Sequence, residues 1–165
     1  MRKQKGFSLI ELLIVVAIIL IIAAIAIPNL LRARIAANES SAASMIRTLN
    51  TAEVSYVTAY PAAGYSVLSS LGGSAVPCAP TSTTACLIDN TLATDNGGNG
   101  KSGYHFSITT SAGQYAATAY PISVGSTGTA AFCSIEDAVV RKDSTGAGGA
   151  AIAHDTCAGL VSLGN

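Results

Sequence analysis

From Phe7 to Ile27 the chain carries only two polar side chains, Ser8 and Glu11. Twenty-one helical residues cover about 31 Å, close to the hydrocarbon thickness of a bilayer. From Arg32 the pattern changes. Ala42, Met45, Ile46, Leu49, Ala52, Tyr56 and Tyr60 recur at steps of three and four, and Arg47, Thr48, Thr51 and Ser55 lie on the other face. That is a helix with one apolar stripe, which predicts packing against a sheet. No Pro or Gly interrupts Asn29–Tyr60, and Pro61 closes it. The two stretches read as one helix from Phe7 to Tyr60, its first half suited to lipid and its second to backing a soluble head.

Residues 62–102 have little periodicity and are rich in Ser, Thr, Gly, Ala and Pro. They predict a long connecting loop, with a short helix at Ser66–Leu71. Strand patterns follow at Tyr104–Ile108, Gln114–Tyr120, Ala130–Ile135 and Ala138–Arg141, each bounded by turn residues at hairpin-like distances. The tail from Ser144 is rich in Gly and Ala. The expected fold is α+β: a long amino-terminal helix on an antiparallel sheet of three or four strands, with residues 103–165 forming the sheet and tail.

Charge places this layout in the cell. The 165-residue chain is formally neutral, with 11% charged residues. Arg2, Lys3 and Lys5 precede the apolar run, and cations of that kind stay cytoplasmic, so the bulk of the chain faces outward. Without residues 1–6, six basic side chains face nine acidic ones, a net −3. That balance gives no basic footprint for nucleic acid. An ordinary secretory signal has a shorter apolar core followed by a small-residue cleavage site. Here the core ends in Ile27-Pro28-Asn29. A plain uncleaved anchor would leave Gly6 and Glu11 unexplained.

The junction Gly6-Phe7-Ser8-Leu9-Ile10-Glu11, behind its basic leader, resembles the class III signal of type IV prepilins and type II secretion pseudopilins. The likeness runs unbroken from about Lys5 to Arg34, through Pro28. It implies a pilin-like fold, and cleavage of the 1–6 leader by a prepilin peptidase between Gly6 and Phe7. It also implies methylation of the new Phe7 amine and retention of helix 7–27, which is continued amphipathically by 28–61. The subunit would wait in the inner membrane, single-pass with its head outside the cytoplasm. It would then polymerise with itself on a pilus or secretion assembly platform. The product would be a type IV pilus used in adhesion, twitching motility or DNA uptake, or the short periplasmic piston of a secretion system. A plain anchored binding module is the third class, and the disulfide-clipped head favours the pilus.

Two residues carry the chemistry of that segment. An acid at the centre of a membrane helix costs about 2.5–3.5 kcal/mol, which makes Glu11 a functional candidate. After cleavage, the amino terminus of one subunit could pair with Glu11 of a neighbour, and only one axial stagger would satisfy both charges. The alternative is a carboxylate snorkelling to the interface. Pro28 lacks a backbone donor and clashes with the carbonyl of Ala24, so a kink is expected there rather than a stop.

Four cysteines in a domain outside the cytoplasm suggest two disulfides, and the sequence permits three connectivities. Pairing of sequence neighbours, Cys78 with Cys86 and Cys133 with Cys157, is favoured; the second would clip the tail to the third strand, as a carboxy-terminal disulfide loop does in many pilins. His154-Asp155-x-Cys157 could form half a zinc site, but no CxxC accompanies it. Asp95-Asn96-Gly97-Gly98-Asn99-Gly100 resembles the start of a calcium loop, yet Phe106 stands where the distal Glu belongs. A polar turn is the simpler reading, so no metal and no cofactor is expected. Neither Gly97-Gly98 nor the 146–149 glycines form a phosphate loop. His105 and His154 have no triad pattern and no Gly-x-Ser-x-Gly is present, so no enzyme is expected. Asn38-Glu39-Ser40 fits an N-glycosylation acceptor by chance, and the aromatics read as core and sheet residues.

Overall fold

The computed structural model describes residues 7–73, 77–111 and 113–164, apart from the side chain of Asn96. Gly6 and the rest of the leader lie outside them. The chain divides into two units, residues 1–34 and 35–165. A single helix, α1 (Leu9–Ala59), contributes to both and contains Pro28, so the helix does not end at that proline.

In the first unit every large apolar side chain from Leu9 to Leu31 is exposed. The second unit buries the predicted stripe. Ala42, Ala43, Ile46, Leu49, Ala52 and Tyr56 of α1 are inaccessible to solvent, and Met45 and Tyr60 pack beside them. They meet an antiparallel meander in the order β1 (Tyr104–Ser111), β2 (Gln114–Pro121), β3 (Ala131–Ser134), β4 (Arg141–Asp143) and β5 (Val161–Ser162). Ser111 pairs with Gln114 across a two-residue turn, which fixes the β1–β2 register. Tyr104, Phe106, Ile108, Tyr115, Ala117, Ala119 and Phe132 supply the sheet's side of the core.

The sheet is covered on both faces at its centre. Ala116, Ala131, Cys133 and Ile135 point away from the helix and pack under Ile152, Cys157 and Leu160 of the tail. This explains why β2 reads Gln-Tyr-Ala-Ala-Thr-Ala-Tyr: small residues serve both faces where two layers close on one strand. Gly128 is demanded by close packing, since a Cβ there would lie 2.0 Å from the Tyr104 hydroxyl oxygen. That buried hydroxyl donates to the carbonyl of Ala130 at 2.7 Å.

The sheet has five strands, one more than the upper expectation. The extra strand, β5, is two residues of the tail paired with β4. The fourth strand is also displaced, to Arg141–Asp143 from the expected Ala138–Arg141. Ala138 adopts a φ of +55°, and its carbonyl accepts from the Asn50 amide at 3.1 Å. Residues 135–138 therefore form a turn, closed by the Ala138 amide on the Ile135 carbonyl. The described residues of 62–102 include three short helices, α2 (Leu68–Leu71), α3 (Asn90–Ala93) and α4 (Asp95–Gly98). Leu68, Leu71, Leu92 and Ala93 enter the main core, which ties this segment down. A fifth helix, α5 (His154–Ala158), carries Cys157.

Candidate functional site

Glu11 stands on the first turn of α1. The spacing Ser8-x-x-Glu11 is a capping-box pattern, in which the acid reaches back to satisfy an orphan amide at the helix start. Its carboxylate Oε2 accepts from the Ser8 amide at 2.9 Å. The Leu12 amide bonds the Ser8 carbonyl at 3.2 Å and closes the first turn. Negative charge at this end is also favoured by the helix dipole. The sequence reading gave Glu11 a partner on a neighbouring chain and missed this internal one, although the pattern was legible. Phe7 is 78% exposed immediately before the cap. Behind it, α1 is long and apolar enough to cross a membrane, and its most apolar window is wholly unburied. Phe7, Glu11 and Pro28, at which processing, register and a kink are expected, all belong to the first unit.

The disulfides belong to the second. Cys78 is bonded to Cys86 and Cys133 to Cys157, with Cα separations of 6.2 and 6.0 Å. The first closes a short loop beside α2. The second joins β3 to α5 and holds the tail over the outer face of the sheet. With Cys157 in a disulfide, half of the zinc reading loses its thiolate.

Several polar groups of the head pair with one another. Asp95 Oδ2 lies 2.6 Å from His105 Nδ1, and its Oδ1 accepts the outward-facing Phe106 amide of edge strand β1 at 2.9 Å. The calcium-loop resemblance therefore falls on a carboxylate that already covers a strand edge. His154 Nε2 lies 3.0 Å from Glu136, and its Nδ1 lies 3.2 Å from Asp155. The hydrogen bond to Glu136, helped by Asp155, raises the His154 pKa. Burial works against ionisation of Glu136, but the His154 hydrogen bond and the Tyr115 amide outweigh it and hold its pKa low. No cluster of three His, Cys, Asp or Glu suited to a metal ion occurs among the described residues.

Asn38 and Glu39 pin the β2–β3 connection to the helix. Asn38 Nδ2 donates to the Thr127 carbonyl at 2.8 Å, which occupies the amide of the glycosylation pattern. Glu39 Oε1 accepts from the Thr129 amide, the Thr129 hydroxyl and the Ala130 amide at 2.9, 2.7 and 3.2 Å. Burial opposes its charge, yet these bonds and Lys142 bring its pKa below the usual carboxylate range.

Two further polar residues lie under the helix. Asn50 donates to the Ser134 hydroxyl and accepts from Tyr115, at 2.9 and 3.1 Å. Glu53 is fully buried, and its Oε2 accepts from the Ser66 amide at 3.0 Å. Burial raises its pKa to about 7 against the pull of that amide. Neither was singled out from the sequence, but both sit at helical spacing on the apolar stripe, where a polar residue is the signal.

Comparison with known proteins bears on the first unit. Residues 1–27 match the prokaryotic N-terminal methylation motif. The chain is 68% identical over 40 residues to the type IV wide pilus major component PilA4 of Thermus thermophilus, covering 24% of this chain and 30% of that one. It is 48% identical over 54 residues to the type IV major pilin protein PilA of Myxococcus xanthus, covering 33% of this chain and 24% of that one. The chain thus spans less than a third of the length of the curated relatives it matches. No solved structure matches it.

Proposed function

From an amino-terminal segment of the type IV pilin kind, we propose that the chain is the structural subunit of a type IV pilus. The observation that carries the reading is the methylation motif at residues 1–27, together with an apolar helical stretch, Leu9–Leu31, whose large side chains are all exposed. So large an apolar surface demands lipid or other apolar helices around it. The subunit would span the inner membrane once, lose residues 1–6 to a prepilin peptidase, and carry a methylated Phe7. It would then leave lipid for a bundle of copies of itself on an assembly platform. The fibre would serve adhesion, twitching motility or DNA uptake, and the protein would act by structure rather than catalysis.

Glu11 has a part in that transfer. In the lone subunit its charge is held by the Ser8 amide. In the bundle the new ammonium of a neighbour's Phe7 offers a stronger, charged donor, and only one stagger presents it. Pro28 would kink the helix where the apolar run gives way to Asn29, Arg32 and Arg34.

Shearing of intact cells tests the proposal. Long surface fibres should be recovered, made of this chain with methylated Phe7 at its amino terminus by mass spectrometry. Antigen confined to the envelope, with exoprotein release lost on deletion, would refute the pilus and point to a secretion piston.

A further inference from the structure

The buried carboxyl of Glu53 has no place in fibre assembly, yet its surroundings are specific. It sits between Leu49 and Tyr56 on the core stripe, with no exposed surface. Its Oε2 holds the Ser66 amide at 3.0 Å, while its Oε1 has no hydrogen-bond partner. A buried ionised oxygen without a donor is costly, whereas a proton on Oε1 leaves Oε2 free to keep the Ser66 amide.

Ser66 ends the segment that follows α1. Pro61–Ala63 turn out of the helix, closed by the Ala63 amide on the Tyr60 carbonyl at 2.9 Å. Gly64 has a φ of +70°, a conformation costly for a residue with a side chain. Tyr65 then packs against Tyr115 of β2, with ring centroids 4.7 Å apart. Outside this segment lies an open cavity of about 210 Å³, lined by Ala63, Gly64, Tyr65 and the tip of the β1–β2 hairpin. The lining residues 63–65 lead directly into Ser66, whose amide holds the carboxyl. The titratable group coupled to Glu53 is the phenol of Tyr115 from β2, on which Tyr65 of the segment and Glu136 and Asp137 also act. Burial and the Ser66 amide are the influences on Glu53, and no cation offsets its charge.

We propose that Glu53 is a proton-operated latch on residues 61–66: protonated, it clasps Ser66 and closes the segment; ionised, it draws water in from the cavity side and loosens it. The proton comes from and returns to solvent, and no other bond changes. This inference concerns the head alone and does not rest on the pilus reading.

With the closed carboxyl titrating near 7 and the hydrated one near 4.5, opening should rise by up to about tenfold per pH unit between those values and level off above 7. Hydrogen exchange of the detergent-solubilised full chain, corrected for the intrinsic pH dependence, reads this directly. A peptide covering residues 60–67 should lose protection from pH 5 to pH 7, and at every pH it should exchange well before one covering β2, which opens only with the whole head. In Glu53→Gln the same peptide should be flat across that range. Wild-type protection that does not change between pH 5 and 7 would overturn the latch, as would an unaltered pH dependence in Glu53→Gln. If that variant does not fold, titration of the wild-type Glu53 carboxyl carbon by NMR decides: a midpoint near 7 supports the latch and an ordinary one near 4.5 removes it.

Discussion

Two carboxylates on one helix, Glu11 and Glu53, each accept a single backbone amide, at 2.9 and 3.0 Å. Their surroundings are opposite. Glu11 is exposed among residues that are almost all apolar, on a stretch whose large apolar side chains are all exposed. Glu53 is buried among residues of mixed character, on a stretch whose apolar stripe is fully matched by the sheet. The lesson concerns what hydrophobicity means along a helix. Uniform apolarity specifies a solvent, whereas apolarity at every third and fourth position specifies a partner. A charge in the first setting is open to another molecule; a charge in the second is enclosed by the fold.

The most severe break of this comparison is Glu11→Val. Processing and insertion should persist, while sheared-fibre yield should fall to background; wild-type yield would sink the register role. Next is a matched pair in the two stretches. Leu49→Ala should destabilise the head by about 2–5 kcal/mol, and Ile18→Ala should leave it unchanged, followed by near-ultraviolet circular dichroism of thermal unfolding in detergent. Equal losses from both would mean that the first stretch packs on the head. Replacing Cys133 and Cys157 together by Ser should cost about 2–4 kcal/mol, with the tail becoming protease-sensitive.

The pH dependence of stability sharpens the Glu53 side. Its folded pKa of about 7 lies above the ordinary 4.5, so the folded head holds an extra proton between those values. Stability should be greatest near pH 4.5 and fall as pH rises to 7, by about 2–3 kcal/mol from this group. Glu53→Gln should flatten that slope in denaturant titrations. The smallest effect belongs to the surface: Lys101 lies 3.0 Å from Asp89 with both side chains partly exposed, and Lys101→Ala should change unfolding by under about 1 kcal/mol.

The long helix, its stripe and the first two strands were legible because their periods run for many residues without a competing signal. The membrane-length run and the Gly6-Phe7 junction were legible for the same reason, being local in sequence. What escaped was set by single long-range contacts. Ala138 is ordinary in sequence, yet its positive φ, its amide bond to the Ile135 carbonyl and its carbonyl bond from Asn50, 88 positions away, end the strand pattern there. Strand β5 is two residues long, too short to carry a period, and forms because β4 offers an edge. The three small helices of residues 62–102 hold together by adding a few side chains each to a core built elsewhere. Glu53 hid for a different reason: its spacing is that of a stripe residue, and its burial and its bond to Ser66 are set by elements distant in the chain.

The tail that covers the outer face of β2 and β3 has a consequence in time. Residues 144–162 leave the ribosome after every strand they cover, and Cys157 emerges 24 residues behind its partner. Until then the centre of the sheet has Ala116, Ala131 and Ile135 uncovered on one side. The head therefore cannot mature strand by strand. The outer face of β2 and β3 is complete only once the tail has closed over it and Cys133 has joined Cys157.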